Sequence, residues 1–293
     1  MRKTKIWLGV GLALVAIVVI TAVYLSGVNI PVLEPKGPIA DQEFRLLLLV
    51  TGAMLIVVIP VFILLGYIVW HYREDNPKRG KYMPNWEHSR WLEGLWWFIP
   101  TVLIAIVSVI TWRATYQLNP YRPIATNVKA LKVQVIALDW KWLFIYPSLN
   151  IASVNMMEFP LKVPLHLYLT SDAPMNSFWL PQLSGQIFAM AGMQTQLYLS
   201  ADQVGTYYGR SANISGAGFA SMQFSAKSVS QASFQSWVKS VRKYAPKLDL
   251  ATYNQLRAPF SDKVHYYSLT NLCLFNAVIN SYMAPANAMM AGK

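Results

Sequence analysis

The chain has one cysteine, Cys273, in 293 residues. That excludes an intrachain disulfide, a Cys-rich zinc site and a CxxC redox pair. Histidine is scarce too: His71, His88, His166 and His265 stand far apart and form no HExxH or His-x-His cluster. Charged residues make up 13% of the chain, where an average soluble domain carries roughly 25%. Acids are the rarer sign, 13 Asp and Glu against 25 Lys and Arg, giving a formal net charge of +12. No basic run with interleaved aromatics occurs outside one short loop, so the charge does not read as a nucleic-acid footprint. It fits orientation in a membrane and attraction to an anionic membrane surface. The chain is 55% hydrophobic, with a mean hydropathy of +0.33. That argues against a disordered chain and an ordinary soluble enzyme, yet is too low for a polytopic transporter. A membrane-anchored protein with a sizeable water-soluble part remains, about two domains by length.

Three uncharged runs are present. Met1 to Lys5 form a basic start, and Ile6 to Leu25 follow without charge, enough to span a bilayer. This segment reads as a signal peptide, a signal anchor or a lipoprotein signal. Leu25-Ser26-Gly27 puts a large Leu where small-residue cleavage sites want a small one. Val28 stands where a lipid-accepting cysteine would be needed, which excludes lipidation there. The expectation is that Ile6 to Leu25 stay as a membrane helix. Leu46 to Trp70, with Pro60 inside, could reach ~37 Å as a helix. Leu95 to Trp112, with Pro100 near its start, is the third run. Trp70, Trp96, Trp97 and Trp112 mark the ends of the second and third runs, as an aromatic belt does. The intervening loop holds Arg73, Lys78, Arg79, Lys81 and Arg90, which places it in the cytoplasm and everything after the third run outside.

After Arg113 the pattern changes. Residues 130–225 show short apolar stretches with period-2 alternation, broken by Pro, Gly, Asn and Ser. In Lys162 to Leu169, Leu165, Leu167 and Leu169 point one way, and His166 and Tyr168 the other. Lys132 to Leu138 and Gln194 to Ser200 behave likewise. Strands at roughly ten-residue spacing predict a β-sandwich or barrel. From Ser230 the pattern is helical, with Phe234, Trp237, Val238 and Val241 on one face; Tyr253 to Leu256 and Leu272 to Met283 are further helix candidates.

Local motifs narrow this plan. Tyr82-Met83-Pro84-Asn85-Trp86-Glu87-His88-Ser89 and Trp91-Leu92-Glu93-Gly94-Leu95-Trp96-Trp97-Phe98-Ile99-Pro100 resemble the hairpin of subunit II of haem–copper terminal oxidases. Asp139 to Pro147 resembles the first aromatic strand of its cupredoxin domain. Met175-Asn176-Ser177-Phe178-Trp179-Leu180-Pro181 and Gln186 to Thr195 are similar to the quinol-oxidase branch, the bo-type ubiquinol oxidases. Tyr266-Tyr267-Ser268 and Leu274-Phe275 resemble that branch's C-terminal segment.

The resemblance implies a contrast in chemistry. The cytochrome c oxidase branch holds two coppers in this domain with bridging thiolates, imidazoles, a thioether and a carbonyl. The family's spacing lands on Asn176, Ser211, Asn213, Ser215, Phe219 and Met222. Both thiolate positions are Ser, both imidazole positions lack an imidazole, and only the Met222 thioether remains. Soft thiolates are what hold such copper, so the loop Tyr208 to Gly216 reads as a relic whose hydroxyls and amides can bond one another. Electrons must then enter elsewhere. The resemblance implies ubiquinol bound by the complex, with haems and one copper in the large haem-bearing subunit I. This chain is left with no metal or cofactor of its own and no catalytic residue. Other small oxidase subunits and membrane lipid are implied partners; cytochrome c and nucleic acid are not.

Each histidine is assigned a solvated or surface role. Trp140 and Trp142, at period-2 spacing, share a strand face and read as barrel packing rather than an electron-transfer relic. Met283, Met289 and Met290 read as a loose tail rather than a copper site. Glu93 is an acid at the membrane edge. Alone it is equally an interfacial anchor; with the motif, the resemblance assigns it to the mouth of a proton-uptake path.

The expected fold is membrane-anchored α+β: a transmembrane helical hairpin, plus an N-terminal signal or anchor helix, then a cupredoxin-like β-sandwich and a C-terminal helical segment. The expected units are 1–28 (signal or signal anchor), 41–117 (hairpin, helices about 46–70 and 95–112 around loop 71–94), 128–228 (periplasmic domain) and 230–293 (helical segment and tail). The setting is a bacterial inner membrane, multi-pass, with the C-terminal part periplasmic. Two rivals stay open: a copper-bearing cytochrome c oxidase subunit II, and a stand-alone tethered β-sandwich that binds a partner without any oxidase.

Overall fold

The computed structural model describes residues 30–73, 76, 88–259, 263–270 and 272–283, with isolated positions between 16 and 27. Most of the first apolar run, Val28, Tyr82 to Glu87, most of the basic loop, Met289 and Met290 lie outside the described residues.

Helix α1 spans Pro38–His71 and α2 spans Arg90–Gln117. Each opens on a residue that suits a helix start: Gly37 caps α1 with extended backbone and Pro38 follows it, where a missing N–H costs nothing. Both exceed the apolar cores expected at 46–70 and 95–112, because polar flanks continue the helix. At 1.5 Å per residue they measure about 51 and 42 Å. None of the residues in their most apolar windows is buried within the chain. Such faces require lipid or other helices as solvent.

The part that follows α2 is a two-sheet sandwich. Its strands are β1 Leu131–Leu138, β2 Lys141–Tyr146, β3 Ile151–Val154, β4 Met156–Pro160, β5 Leu165–Ser171, β6 Asn176–Trp179, β7 Gln186–Ala189, β8 Thr195–Leu199, β9 Gly205–Ser211, β10 Gln223–Val229, β11 Lys247–Leu248 and β12 His265–Leu269. One sheet has seven strands in the order β11-β12-β3-β2-β1-β5-β8, the other five in the order β4-β10-β9-β6-β7. Three helices follow β10: α3 Gln231–Tyr244, α4 Leu250–Leu256 and α5 Leu274–Ser281.

Two cores flank the larger sheet. Val133, Val135, Trp142, Phe144, Leu167, Phe178 and Phe224 fill the space between sheets. Ile136, Leu138, Leu143 and Ile145 point the other way, beneath Tyr253, Leu256, Phe275, Val278 and Ile279 of α4 and α5. All six residues of β2 are therefore buried, and β2 shows no polar face. The segment after residue 230 is thus helical but also supplies two strands. Tyr266-Tyr267-Ser268 sits on β12, which pairs antiparallel with β3. Those aromatic residues are too few to announce a strand by alternation.

Two local expectations need correction. Trp140 does not share a strand face with Trp142. Leu138 pairs with Lys141, so Asp139-Trp140 is a two-residue turn, with Trp140 left-handed at φ 58°. Trp142 enters the core, while Trp140 does not. His166 is not solvated either. It is 8% exposed, stacked on Tyr198 at 4.0 Å and tilted against Tyr168 at 4.2 Å. The second face of β5 is covered by tyrosine rings, which alternation alone cannot distinguish from water.

The hairpin is fixed to the sandwich near the start of α1. The Lys36 N–H donates to the Gln182 carbonyl, and the Asp202 N–H donates to the Lys36 carbonyl. Gly37 lies so close to the Ser200 carbonyl that a Cβ would overlap it.

Candidate functional site

Four of the six positions expected at copper-ligand places are joined where β6, β9 and the β9–β10 loop meet. Asn176 opens β6 and is 1% exposed; Ser211 closes β9 and is 2% exposed. The Ser211 hydroxyl donates to Asn176 Oδ1 at 3.0 Å, with the Asn213 carbonyl also near at 3.3 Å. The Asn176 amide donates to the Pro174 carbonyl at 2.8 Å. The Asn213 amide donates to the Met175 carbonyl at 2.9 Å. Below them Met222 is wholly buried, and its carbonyl accepts from the Ser211 N–H at 3.1 Å. Ser215 Oγ is buried with no hydrogen-bond partner among the described residues. Phe219 begins a short turn whose N–H donates to the Gly216 carbonyl, and it puts a phenyl ring in the loop.

Trp140 closes this loop from the side. A Cβ on Gly218 would fall 2.2 Å from its ring, and one on Gly216, at φ 136°, would fall 3.1 Å away. The close approach of the indole explains both glycines. It also explains why a tryptophan accepts a left-handed turn, a conformation that costs roughly 1–2 kcal/mol.

The side-chain donors present are two hydroxyls, two amides and one thioether, with a phenyl ring at the sixth position. A thiolate-bridged copper pair needs soft anionic sulfur and imidazole. The residues do not fit that group. Among the described residues no three His, Cys, Asp or Glu side chains cluster. What the arrangement can do is hold the loop shut with neutral hydrogen bonds.

A family model for the periplasmic domain of cytochrome c oxidase subunit II matches residues 108–229. The COX aromatic rich motif matches residues 242–286. Cytochrome bo(3) ubiquinol oxidase subunit 2 of Pseudomonas putida is 45% identical over 88% of this chain and 82% of its own length. The chain belongs to the ubiquinol oxidase subunit 2 family. Two further members are ubiquinol oxidase subunit 2 of Acetobacter aceti, 42% identical over 89% of this chain and 86% of its own length, and the Pseudomonas aeruginosa subunit, 43% identical over 89% and 79%.

Glu93 is remote from the loop. It lies in the first turn of α2, exposed, with its N–H donating to the Ser89 carbonyl at 2.9 Å. Roughly 35 Å of helix separates it from the end that leads into the sandwich. Glu93 and the closed loop therefore lie in separate parts of the chain, one in the first turn of α2 and the other in the sandwich.

Three groups escaped the sequence. Asp172, between β5 and β6, accepts from Tyr253 Oη at 2.6 Å and Tyr282 Oη at 2.8 Å, and pairs with Arg257 Nε at 2.9 Å. Its side chain is 5% exposed. Burial first, then the neighbouring carboxylate, push the Tyr253 hydroxyl well above the usual tyrosine range. Asp172 thus ties the C-terminal arm to the segment leading to Asn176. Lys141 is buried, and its Nζ donates to the Leu256 and Ala258 carbonyls at 2.8 and 2.5 Å; burial lowers its pKa. His166 donates or accepts at both ring nitrogens, to Gln196 at 2.9 Å and Tyr198 at 3.0 Å; burial lowers its pKa. Nothing in residue spacing joins Asp172 to a tyrosine 110 positions away. The one available signal was the rarity of acids after α2.

Proposed function

We propose that this chain is the second subunit of a proton-translocating ubiquinol oxidase, a complex that oxidises ubiquinol and reduces O₂ to water. Its relatives carry that name over most of their length. The observation that selects quinol rather than cytochrome c as electron donor is the Asn176–Ser211–Asn213 hydrogen-bond set at the ligand positions. A chain so furnished has no metal centre to receive an electron. The haems and the copper belong to the large subunit. This subunit holds a cupredoxin-like domain over the outer face of that partner, with α1 and α2 against it in a bacterial inner membrane. The basic loop between the helices sits in the cytoplasm.

Glu93, at the inner end of α2, delivers protons to the large subunit. A carboxylate in contact with water can collect a proton and pass it along hydrogen-bonded groups of the neighbour. The reading is tested by purifying the complex through a tag on this chain and measuring oxygen uptake. Ubiquinol should support it and reduced cytochrome c should not. Uptake driven by cytochrome c, or a tagged chain that brings no haem with it, would overturn the assignment.

A further inference from the structure

A cavity of about 970 Å³ in the sandwich lies away from the closed loop. Its wall includes Lys129, Lys132, Gln134, Leu149 and Phe234, and no Asp or Glu contributes to it. Both lysines are exposed. The Gln134 side-chain oxygen has no hydrogen-bond partner among the described residues. Two cations and an amide oxygen without a partner, over apolar walls, suit a ligand with a phosphate, a neighbouring hydroxyl and an apolar tail.

Its place in the fold says where such a ligand comes from. In the larger sheet Lys132 is level with His166, and His166 with Tyr198. The Tyr198 N–H donates to the Pro120 carbonyl, just beyond the end of α2. With strands about 4.8 Å apart, Lys132 sits within roughly 15 Å of Pro120, three residues past the helix. On the other side, Pro160 and Val163 line the cavity and flank Lys162. The Lys162 N–H donates to the Ala201 carbonyl, next to the Ser200 carbonyl that touches Gly37 at the start of α1. The cavity therefore opens at the end of the sandwich where both membrane helices join it.

We propose that this cavity binds the phosphate-bearing headgroup of an anionic amphiphile, a phospholipid of the leaflet beneath it. Lys129 and Lys132 hold the phosphate as flexible point charges, Gln134 bonds the neighbouring polar group, and Leu149 and Phe234 cover the first carbons of the tail. The inference needs α1 and α2 to cross a bilayer. It does not depend on which electron donor the complex uses.

The test uses the assembled complex, stripped of lipid in detergent and titrated with palmitoyl-oleoyl phosphatidylglycerol, with bound lipid counted by native mass spectrometry. Lys129→Gln/Lys132→Gln should weaken one lipid site about tenfold or more, two interfacial cations' worth. Gln134→Leu, which leaves the charge alone, should weaken the same site. Lys239→Gln/Lys243→Gln, which removes equal charge from the exposed side of α3, should not. Excess inorganic phosphate should leave the lipid bound; displacement by phosphate would assign the site to a soluble phosphate compound instead of a lipid. Identical titrations for all four proteins, or equal weakening by the α3 variant, would overturn the proposal.

Discussion

Asp172 is the acid whose loss should be felt most. It accepts three side-chain donors from the C-terminal arm, at 2.6, 2.8 and 2.9 Å. In Asp172→Ala the Tyr253 hydroxyl, on a residue only 3% exposed, loses its partner. An unsatisfied buried donor costs about 1–3 kcal/mol. The Arg257 side chain is 51% exposed, so its ion pair adds at most about 1 kcal/mol. Tyr282 is 47% exposed and can turn to water. The arm should lose about 2–3 kcal/mol of local stability. Hydrogen exchange of the intact protein reads this directly. Amides of α4 and α5 should exchange about thirtyfold to a hundredfold faster, while those inside β1 and β2 change less. Asp172→Asn keeps an acceptor for Tyr253 and should show the smaller part of the effect. Unchanged exchange in α4 and α5 of the Ala variant would refute the claim that this carboxylate latches the arm.

Three other outcomes follow from the same geometry. Glu93→Gln keeps shape and removes the exchangeable proton, so turnover at saturating ubiquinol should fall several-fold, a barrier increase of roughly 1 kcal/mol, with haem content unchanged; wild-type turnover would leave Glu93 an interfacial anchor. Burial, with a smaller push from the Lys132 charge, holds His166 below its ordinary pKa. Its stabilising contribution is therefore complete above pH ~6.5 and is lost as pH falls through the lower folded value, so an NMR titration of His166 should give a midpoint below that of an exposed histidine and His166→Gln should flatten that part of the stability profile. Gly218→Ala places a Cβ 2.2 Å from Trp140. It should cost about 1–3 kcal/mol in thermal unfolding, and Trp140→Ala should remove most of that penalty.

The sequence made the large-scale plan readable where one physical requirement dominates. The second and third apolar runs are long because a bilayer demands it, and they are helices α1 and α2. Leu165, Leu167 and Leu169 alternate because one face of β5 meets the core, and all three are fully buried. Legibility failed where two requirements met in one residue. β2 is buried on both faces because the C-terminal arm packs on its back, and alternation gave no sign that Lys141 serves the carbonyls of Leu256 and Ala258. Trp140 looked like a strand residue because the turn that holds it is chosen by a contact with Gly216 and Gly218, far along the chain. At the candidate site, residue types were readable at Asn176, Ser211, Asn213, Ser215, Phe219 and Met222. Their mutual bonding was not, since Ser211 and Asn176 meet only through the pairing of β6 with β9.

The central claim is that this subunit carries a closed, hydrogen-bonded loop where a copper pair would sit. Copper and haem quantified together on the purified complex test it most directly. One copper per complex, held by the large subunit, is expected, with no near-infrared absorption from a thiolate-bridged pair. Three coppers per complex, two of them lost with this chain's external domain, would contradict it.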